Sequence, residues 1–382
     1  MKIYWLVQQL DYIGGTEMVT SNIINSISDN YDINIISTAK IENNIYSFND
    51  NVKISSLNVP IELCRIDFYF KKYLNEHRFL KIISLGLKAA YYYTIGYRKD
   101  KKKIKNLTRN EDLIIASSAD TYMLSPKKRN VAYHFHFNGK YFLSLSNILL
   151  RRLIRKPDYY IFLTETTYNK VTSKRKNLAY KKITHIYNPV RLLPELHLNY
   201  HNNKIIFLGR FLPQKDPMLA MKVAKALSDK NFKYELHFYG EGDFLKDMTN
   251  YSNKHNLTKN IFFHGMTNDV IGALHQGDLL LVTSIFEGFS LVTVEANSQS
   301  LPVITTNWGD AVTEIVKDGI NGYVVNDRKP EIIADKIIEV LSNNDSYMRL
   351  RKTSYESCFR FEANNIKKEW IKILEEIKKE IR

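Results

Sequence analysis

The sequence predicts a two-domain α/β protein in which each domain is a parallel sheet covered by helices. Strand-length apolar runs alternate with helix-length amphipathic segments along the whole chain, the alternation falls into two series, and 382 residues exceed what one hydrophobic core organises. The first series places strands at residues 2–7, 33–37, 113–116, 131–134, 160–163 and 183–187. Asn188-Pro189 then punctuates the chain, and the polar stretch 197–203 reads as a linker. A second series follows at 204–208, 235–239, 260–264, 279–283, 302–305 and 322–325. The predicted division is an N-terminal domain over 1–190, a C-terminal domain over 191–365 and a final helix over 366–382. In that helix Ile366, Trp370, Leu374, Ile377 and Ile381 recur at helical spacing, and it is expected to pack back on the N-terminal domain. Open parallel sheets bind ligands beyond the carboxyl ends of their strands, so two facing sheets predict a cleft between the domains.

Composition narrows the function class. With 44% hydrophobic and 25% charged residues, the chain is that of a folded globular protein. Cys64 and Cys358 alone supply neither a disulfide framework nor a zinc-ligand pattern, which predicts a reducing compartment. The opening residues lack the apolar core and cleavage site of a signal peptide, and no apolar run reaches the ~18 residues of a membrane span, so a cytoplasmic location is expected. Net charge is +15, and residues 61–110 carry 13 Lys/Arg against 4 Asp/Glu. Phe68, Tyr69, Phe70, Tyr73, Phe79, Leu80, Ile82, Ile83, Leu85, Leu87 and Tyr91 to Tyr93 are interleaved with those cations, a pattern suited to an anionic membrane surface. The plain reading is a set of core helices with solvated Lys-rich faces. Nucleic acid is disfavoured, because no nucleic-acid motif accompanies the charge.

The most specific motif follows the strand at 279–283. A short loop holds Glu287 and Gly288, and a helix is expected to begin near Ser290, exposing free N–H groups where a diphosphate can bind. Gly288 permits close backbone approach. Glu295 lies in that helix, roughly 7.5 Å along its axis, so two carboxylates can hold two different sugars. Directly after the strand at 204–208 come Gly209, Arg210 and Lys215, two cations placed to neutralise charge on a departing diphosphate. Glycine turns at Gly240/Gly242 and at Gly265-Met266 follow the next two strands, where ordinary strand-end turn chemistry is the alternative. In the first domain Gly14 and Gly15 precede a helix and can bring amides against phosphate or acceptor oxygens. His134 and His136 alternate on one face of a strand, and His136, followed by Asn138, is the stronger candidate for acid–base work. No Asp-x-Asp motif and no metal-ligand spacing occur, which predicts metal independence.

The segment FEGFSLVTVEA, with LPVITT and EIVKDGINGYVV after it and Gly209-Arg210-x4-Lys215 before it, resembles the donor-binding signature of the large retaining glycosyltransferase family 4. The resemblance is strong over 204–326 and loose in the first domain. It implies a GT-B fold, two Rossmann-like domains facing across a cleft, and transfer of a sugar from a nucleotide diphosphate donor, UDP-linked by expectation, with no other cofactor. It further implies that Glu287 with the amides of Phe289, Ser290 and Leu291 meets the transferred sugar, that Glu295 binds the ribose, and that Arg210 and Lys215 face the diphosphate. Gly240/Gly242 resemble the family's glycine turn, His264 to Thr267 resemble its base-lining segment, and a functional histidine is expected near His136. The implied acceptor is a saccharide, lipid-linked, for capsule, cell wall or lipopolysaccharide. Where many relatives have a Gly-Gly pair, this chain reads Asn307-Trp308-Gly309-Asp310, which marks Trp308 and Asp310 as positions that tune the donor. A non-catalytic sugar-nucleotide binder, or an epimerase of the same architecture, is the alternative.

Overall fold

A computed structural model describes residues 1–12, 14–126, 129–134, 136, 157–174, 182–190 and 203–381. It resolves into two compact units: Met1–Leu163, Lys170–Tyr187 and Lys367–Arg382 in one, Thr164–Asn169 and Asn188–Ile366 in the other. Each is a Rossmann-like α/β domain built on a parallel sheet.

In the first unit the strands are β1 (Ile3–Val7), β2 (Ile33–Ala39), β3 (Lys53–Val59), β4 (Leu113–Ala116), β5 (Asn130–His134), β6 (Tyr159–Phe162) and β7 (Lys182–His185), in the order β3-β2-β1-β4-β5-β6-β7. Every residue of β1 and β4 is buried, as expected of central strands covered on both faces. Strand β3 has no counterpart in the sequence reading. It is an edge strand whose residues Lys53 to Ser55 are exposed, so the sheet needs no apolar run from it. Helices α1 (Gly15–Ile27), α2 (Ile66–Asn75), α3 (Phe79–Tyr91) and α4 (Tyr97–Leu107) belong to this unit, with a π-helical turn, Tyr92–Gly96, joining α3 to α4.

The second sheet contains β8 (Lys204–Leu208), β9 (Glu235–Tyr239), β10 (Ile261–Gly265), β11 (Leu279–Val282), β12 (Val303–Thr306) and β13 (Gly322–Val325), ordered β10-β9-β8-β11-β12-β13. Helices α5 (Pro217–Asp229), α6 (Leu291–Ser298), α7 (Pro330–Ser342) and α8 (Asn344–Ser357) pack around it. Its core joins Phe207 and Phe238 of the sheet to Met221 and Val223 of α5 and Ile337 of α7. The chain leaves β8 towards β9 on one side, while β11 pairs with β8 on the other. That reversal of strand order opens a crevice at the carboxyl ends of β8 and β11.

The last helix, α9 (Ala363–Ile381), spends its apolar face on the first unit. Trp370 is fully buried, 5.3 Å from the Trp5 ring and 5.1 Å from His134. Tyr31 donates to the Glu375 carboxylate at 3.0 Å, and Lys182 pairs with Glu376.

Candidate functional site

The crevice of the second sheet is shaped first by backbone. Between β8 and α5 the chain passes through Asp216, whose φ of 44° and ψ of 60° lie in the left-handed region. That conformation costs a non-glycine residue roughly 1–2 kcal/mol, so the surroundings must enforce it. They do so from three directions. The Asp216 side chain caps α5 by accepting from the Leu219 amide at 3.2 Å. The Thr283 hydroxyl lies 2.9 and 2.8 Å from the carbonyl oxygens of Lys215 and Asp216. Arg328, beyond β13, donates to Asp216 Oδ2 at 2.7 Å, to the Thr283 and Ser284 carbonyls at 2.9 and 3.0 Å, and to Thr306 Oγ1 at 3.0 Å.

Arg328 therefore ties together the loops after β8, β11 and β12, a task for a planar guanidinium that one ammonium cannot perform. Replacing it by alanine is expected to lower turnover about tenfold and to cost about 1–2 kcal/mol of stability, because a half-exposed charged network is lost. Arg328→Lys should recover little of either. Steady-state kinetics and thermal denaturation of both variants check this. Nothing in its sequence context, a polar loop before a helix, separates it from a solvated surface arginine.

Held this way, the β8–α5 loop aims Lys215 at the β11–α6 loop. Lys215 Nζ lies 2.5 Å from Glu287 Oε1, and the Ser284 hydroxyl donates to the same oxygen at 2.6 Å. Both side chains are largely withdrawn from solvent, Glu287 more than Lys215. Among the described residues nothing donates to Glu287 Oε2. The carboxylate thus has one oxygen committed to its own loop and one available.

Ser290 precedes α6 with a φ of 56°, and its hydroxyl turns to Thr293 Oγ1 at 2.8 Å rather than capping a backbone amide. The helix therefore begins without a side-chain cap, which leaves amides and the positive end of its dipole beside Glu287. Glu295 stands further along α6. Desolvation pushes its carboxyl up to about 7, and the charge of Lys215 acts in the opposite direction.

Lys215, Glu287, the start of α6 and Glu295 are thus brought together, and Gly288, Phe289 and Leu291 lie on the same loop and helix start. The Phe289 side chain points into the core, edge-on to Phe361 at 5.5 Å, so only its backbone is left for a ligand. Arg210 belongs to the same β8–α5 loop, exposed and, among the described residues, without a hydrogen-bond or ion-pair partner. Gly209 donates its amide to the Tyr239 carbonyl at 3.0 Å. Gly240 and Gly242 owe their identity to this contact: a Cβ would stand 2.0 Å from the Gly209 oxygen in the first case and 2.5 Å from the Phe211 oxygen in the second. Their steric part is to let the β9 turn press on the Arg210 loop. Gly265, at the end of β10, accepts from the Gly240 amide at 2.7 Å, and Met266 next to it is exposed. Trp308 departs from its expected place. It is only 2% exposed and serves packing, which leaves Asp310 as the exposed member of that pair.

In the first unit Gly14 stands at the N-cap of α1 and donates its amide to the Tyr46 hydroxyl oxygen at 3.0 Å, while Gly15 opens the helix. His134 is a core residue. Its ring meets Trp5, Trp370 and His136, and among the described residues neither ring nitrogen has a hydrogen-bond partner. Burial holds its pKa well below the usual histidine range. His136, two residues past β5, has its pKa lowered to about 3 by burial, so its imidazole is neutral at physiological pH. A neutral ring offers hydrogen bonds to a hydroxyl rather than a ready proton. Asn138 and Ile13 lie outside the described residues.

A crevice at a strand-order reversal, with a cation against a carboxylate and an uncapped helix start, agrees with what comparison finds. The family described as glycosyl transferases group 1 matches residues 193–357, the stretch that builds this crevice. Residues 193–357 are thus similar to the group 1 glycosyl transferases. An uncharacterized glycosyltransferase of Methanocaldococcus jannaschii is 28% identical over 363 residues, covering 92% of this chain and 90% of its own. The GalNAc-alpha-(1->4)-GalNAc-alpha-(1->3)-diNAcBac-PP-undecaprenol alpha-1,4-N-acetyl-D-galactosaminyltransferase of Campylobacter jejuni is 23% identical over 393 residues, covering 99% of each chain. Among solved structures, TarM of S. aureus in complex with fondaparinux, alpha-GlcNAc-glycerol and UDP superposes with a TM-score of 0.73 at 16% identity, over 97% of this chain and 99% of that one. At that identity the likeness speaks for the fold, and it makes the chain a two-domain GT-B protein.

Proposed function

We propose that this glycosyltransferase is a retaining, metal-independent enzyme with no separate cofactor, which moves a hexose or N-acetylhexosamine from a UDP-sugar to a saccharide acceptor. The acceptor is lipid-linked, in capsule, cell-wall or lipopolysaccharide synthesis, and the enzyme works in the cytoplasm, peripheral on the inner face of the membrane. Support for the donor comes from the UDP held by TarM, and for the acceptor from the undecaprenol substrate named for the Campylobacter relative.

The observation that carries the reading is the 2.5 Å contact of Lys215 with Glu287 beside the open start of α6. In this proposal Lys215, Arg210 and the α6 amides meet the diphosphate. Glu287 Oε2 accepts from hydroxyls of the transferred sugar. The bond from the sugar's anomeric carbon to the diphosphate oxygen breaks, the acceptor oxygen bonds to the same face, and the acceptor's proton passes to the departing diphosphate. Charge develops on that diphosphate in the transition state, where fixed cations and amides act most strongly. His136, neutral, hydrogen-bonds an acceptor or sugar hydroxyl.

Glu295 gives the reading its test. As an ionised carboxylate it accepts from the ribose hydroxyls. Its pKa of about 7 stands above the ordinary 4.5, so its contribution to stability is present below the ordinary value and is lost as pH rises through 7. Bound ribose favours the ionised form, so UDP should bind more tightly at pH 8 than at pH 6. UDP is expected to raise the melting temperature, with a larger rise at pH 8, and Glu295→Gln should remove the pH dependence. GDP in place of UDP tests the base. No melting shift with either nucleotide at either pH would overturn the proposal.

A further inference from the structure

We propose that the outward face of α3, with the adjoining end of α2, is a docking surface for an anionic membrane. Helix α3 is apolar on both sides. Leu85 and Ala89 are buried against the unit, while Leu80, Ile83, Leu87 and Tyr91, spaced three, four and four residues apart, form a second stripe that faces solvent. Leu80 is 83% exposed and Leu87 68%. Phe79 beside this stripe and Phe68 on α2 are also exposed. Isolated exposed apolar side chains are ordinary, but a continuous stripe of them on a well-formed helix marks a contact surface.

Charge selects the occupant. Lys71, Lys72, Arg78 and Lys81 surround the stripe and are exposed. Of the nearby acids, Glu62 is engaged by Tyr73 and Lys88, Glu76 by Arg78, and Asp100, buried, by Lys103. The ammonium groups of Lys72 and Lys81 stand 6.0 and 5.4 Å from the ring centroids of Tyr69 and Tyr73, which keeps these cations beside the stripe. Aliphatic side chains flanked by outward cations match an interface of acyl chains beneath anionic headgroups. A second copy of the same face would set the same cations against each other. A nucleic acid would meet the cations and leave Leu80, Ile83 and Leu87 with nothing to bury them.

Position adds a use. Through the π-helical turn α3 leads to a hollow at the carboxyl ends of β1 and β2, lined by Gln8, Thr38, Tyr92, Tyr93, Tyr97 and Asp120. A membrane seated on α3 therefore lies next to a hollow whose aromatic rings offer stacking surface to the sugar of a lipid-linked acceptor. This use rests on the acceptor proposed above, whereas membrane docking itself is measured without any transfer reaction.

The full chain is mixed with vesicles of phosphatidylglycerol and phosphatidylcholine, or of phosphatidylcholine alone, and sedimented at low and high salt. Partition onto the anionic vesicles at low salt, weakened at high salt, is expected. The triple variant Leu80→Ser, Ile83→Ser, Leu87→Ser should lose at least about tenfold in partition. Lys71→Gln, Lys72→Gln, Lys81→Gln should weaken binding and flatten its salt dependence. An unchanged UDP melting shift in both variants shows that the fold is intact. Wild-type protein left in the supernatant at low salt, or equal partition of the serine variant, overturns the proposal. So does a concentration-dependent dimer that the serine variant abolishes, or displacement from vesicles by a short oligonucleotide. Vesicle binding without sugar transfer leaves the docking surface standing and removes the transferase reading of the site.

Discussion

Replacing Lys215 by alanine is expected to lower turnover by about 10³-fold, since it removes a fixed cation from the point where charge on the leaving diphosphate develops. Arg210→Ala should act in the same direction. The two differ in stability. Arg210 is exposed, and its loss should leave the melting temperature unchanged, whereas Lys215 is the partner of a nearly buried Glu287. Removing that partner leaves a carboxylate uncompensated at a cost of about 3 kcal/mol. The double variant Lys215→Ala with Glu287→Gln separates the effects, because the neutral amide needs no cation. Its melting temperature should return towards the wild type while turnover stays low. Turnover within tenfold of wild type in Lys215→Ala would refute the role given to this residue.

The second large effect is expected from Glu287→Gln alone. Glutamine preserves the shape, and its oxygen still accepts from Lys215 and Ser284, so the fold and the position of Lys215 should be retained. What disappears is the negative charge on the oxygen facing the sugar. Charge-assisted hydrogen bonds to sugar hydroxyls are lost in ground and transition state, and turnover should fall about 10²- to 10³-fold. If Glu287 served only to hold Lys215, the amide would suffice and the loss would stay under tenfold. Comparing kcat with the donor KM distinguishes the two, since a positioning role alone moves both modestly.

Most of the framework was legible because buried parallel strands are written as short apolar runs. LLLV of β11 and KIIFL of β8 could hardly be anything else once turns bounded them. Strand β3 escaped because an edge strand half open to water has no need of such a run. Glu287 and Lys215 were legible from residue type and spacing, although their contact was not, since it depends on Asp216 adopting a left-handed turn. Arg328 was not legible at all. Two of its four partners are the main-chain carbonyls of Thr283 and Ser284, and carbonyls leave no mark in a sequence. The two histidines alternate on one strand, yet what makes His134 a core residue is Trp370, delivered by the far end of the chain. Trp308, at a loop whose sequence marks a position that tunes the donor, fills the interior, and its burial was not written in that loop.

The contribution of α9 to the first unit bears on how the protein is made. Trp5 and His134 emerge from the ribosome long before Trp370, the ring that covers them, has been synthesised. The amino-terminal unit must therefore wait, its apolar floor uncovered, while the unit encoded after it acquires its complete sheet. Biosynthetic order and completion order are thus inverted, and the nascent chain is most exposed to aggregation during that interval.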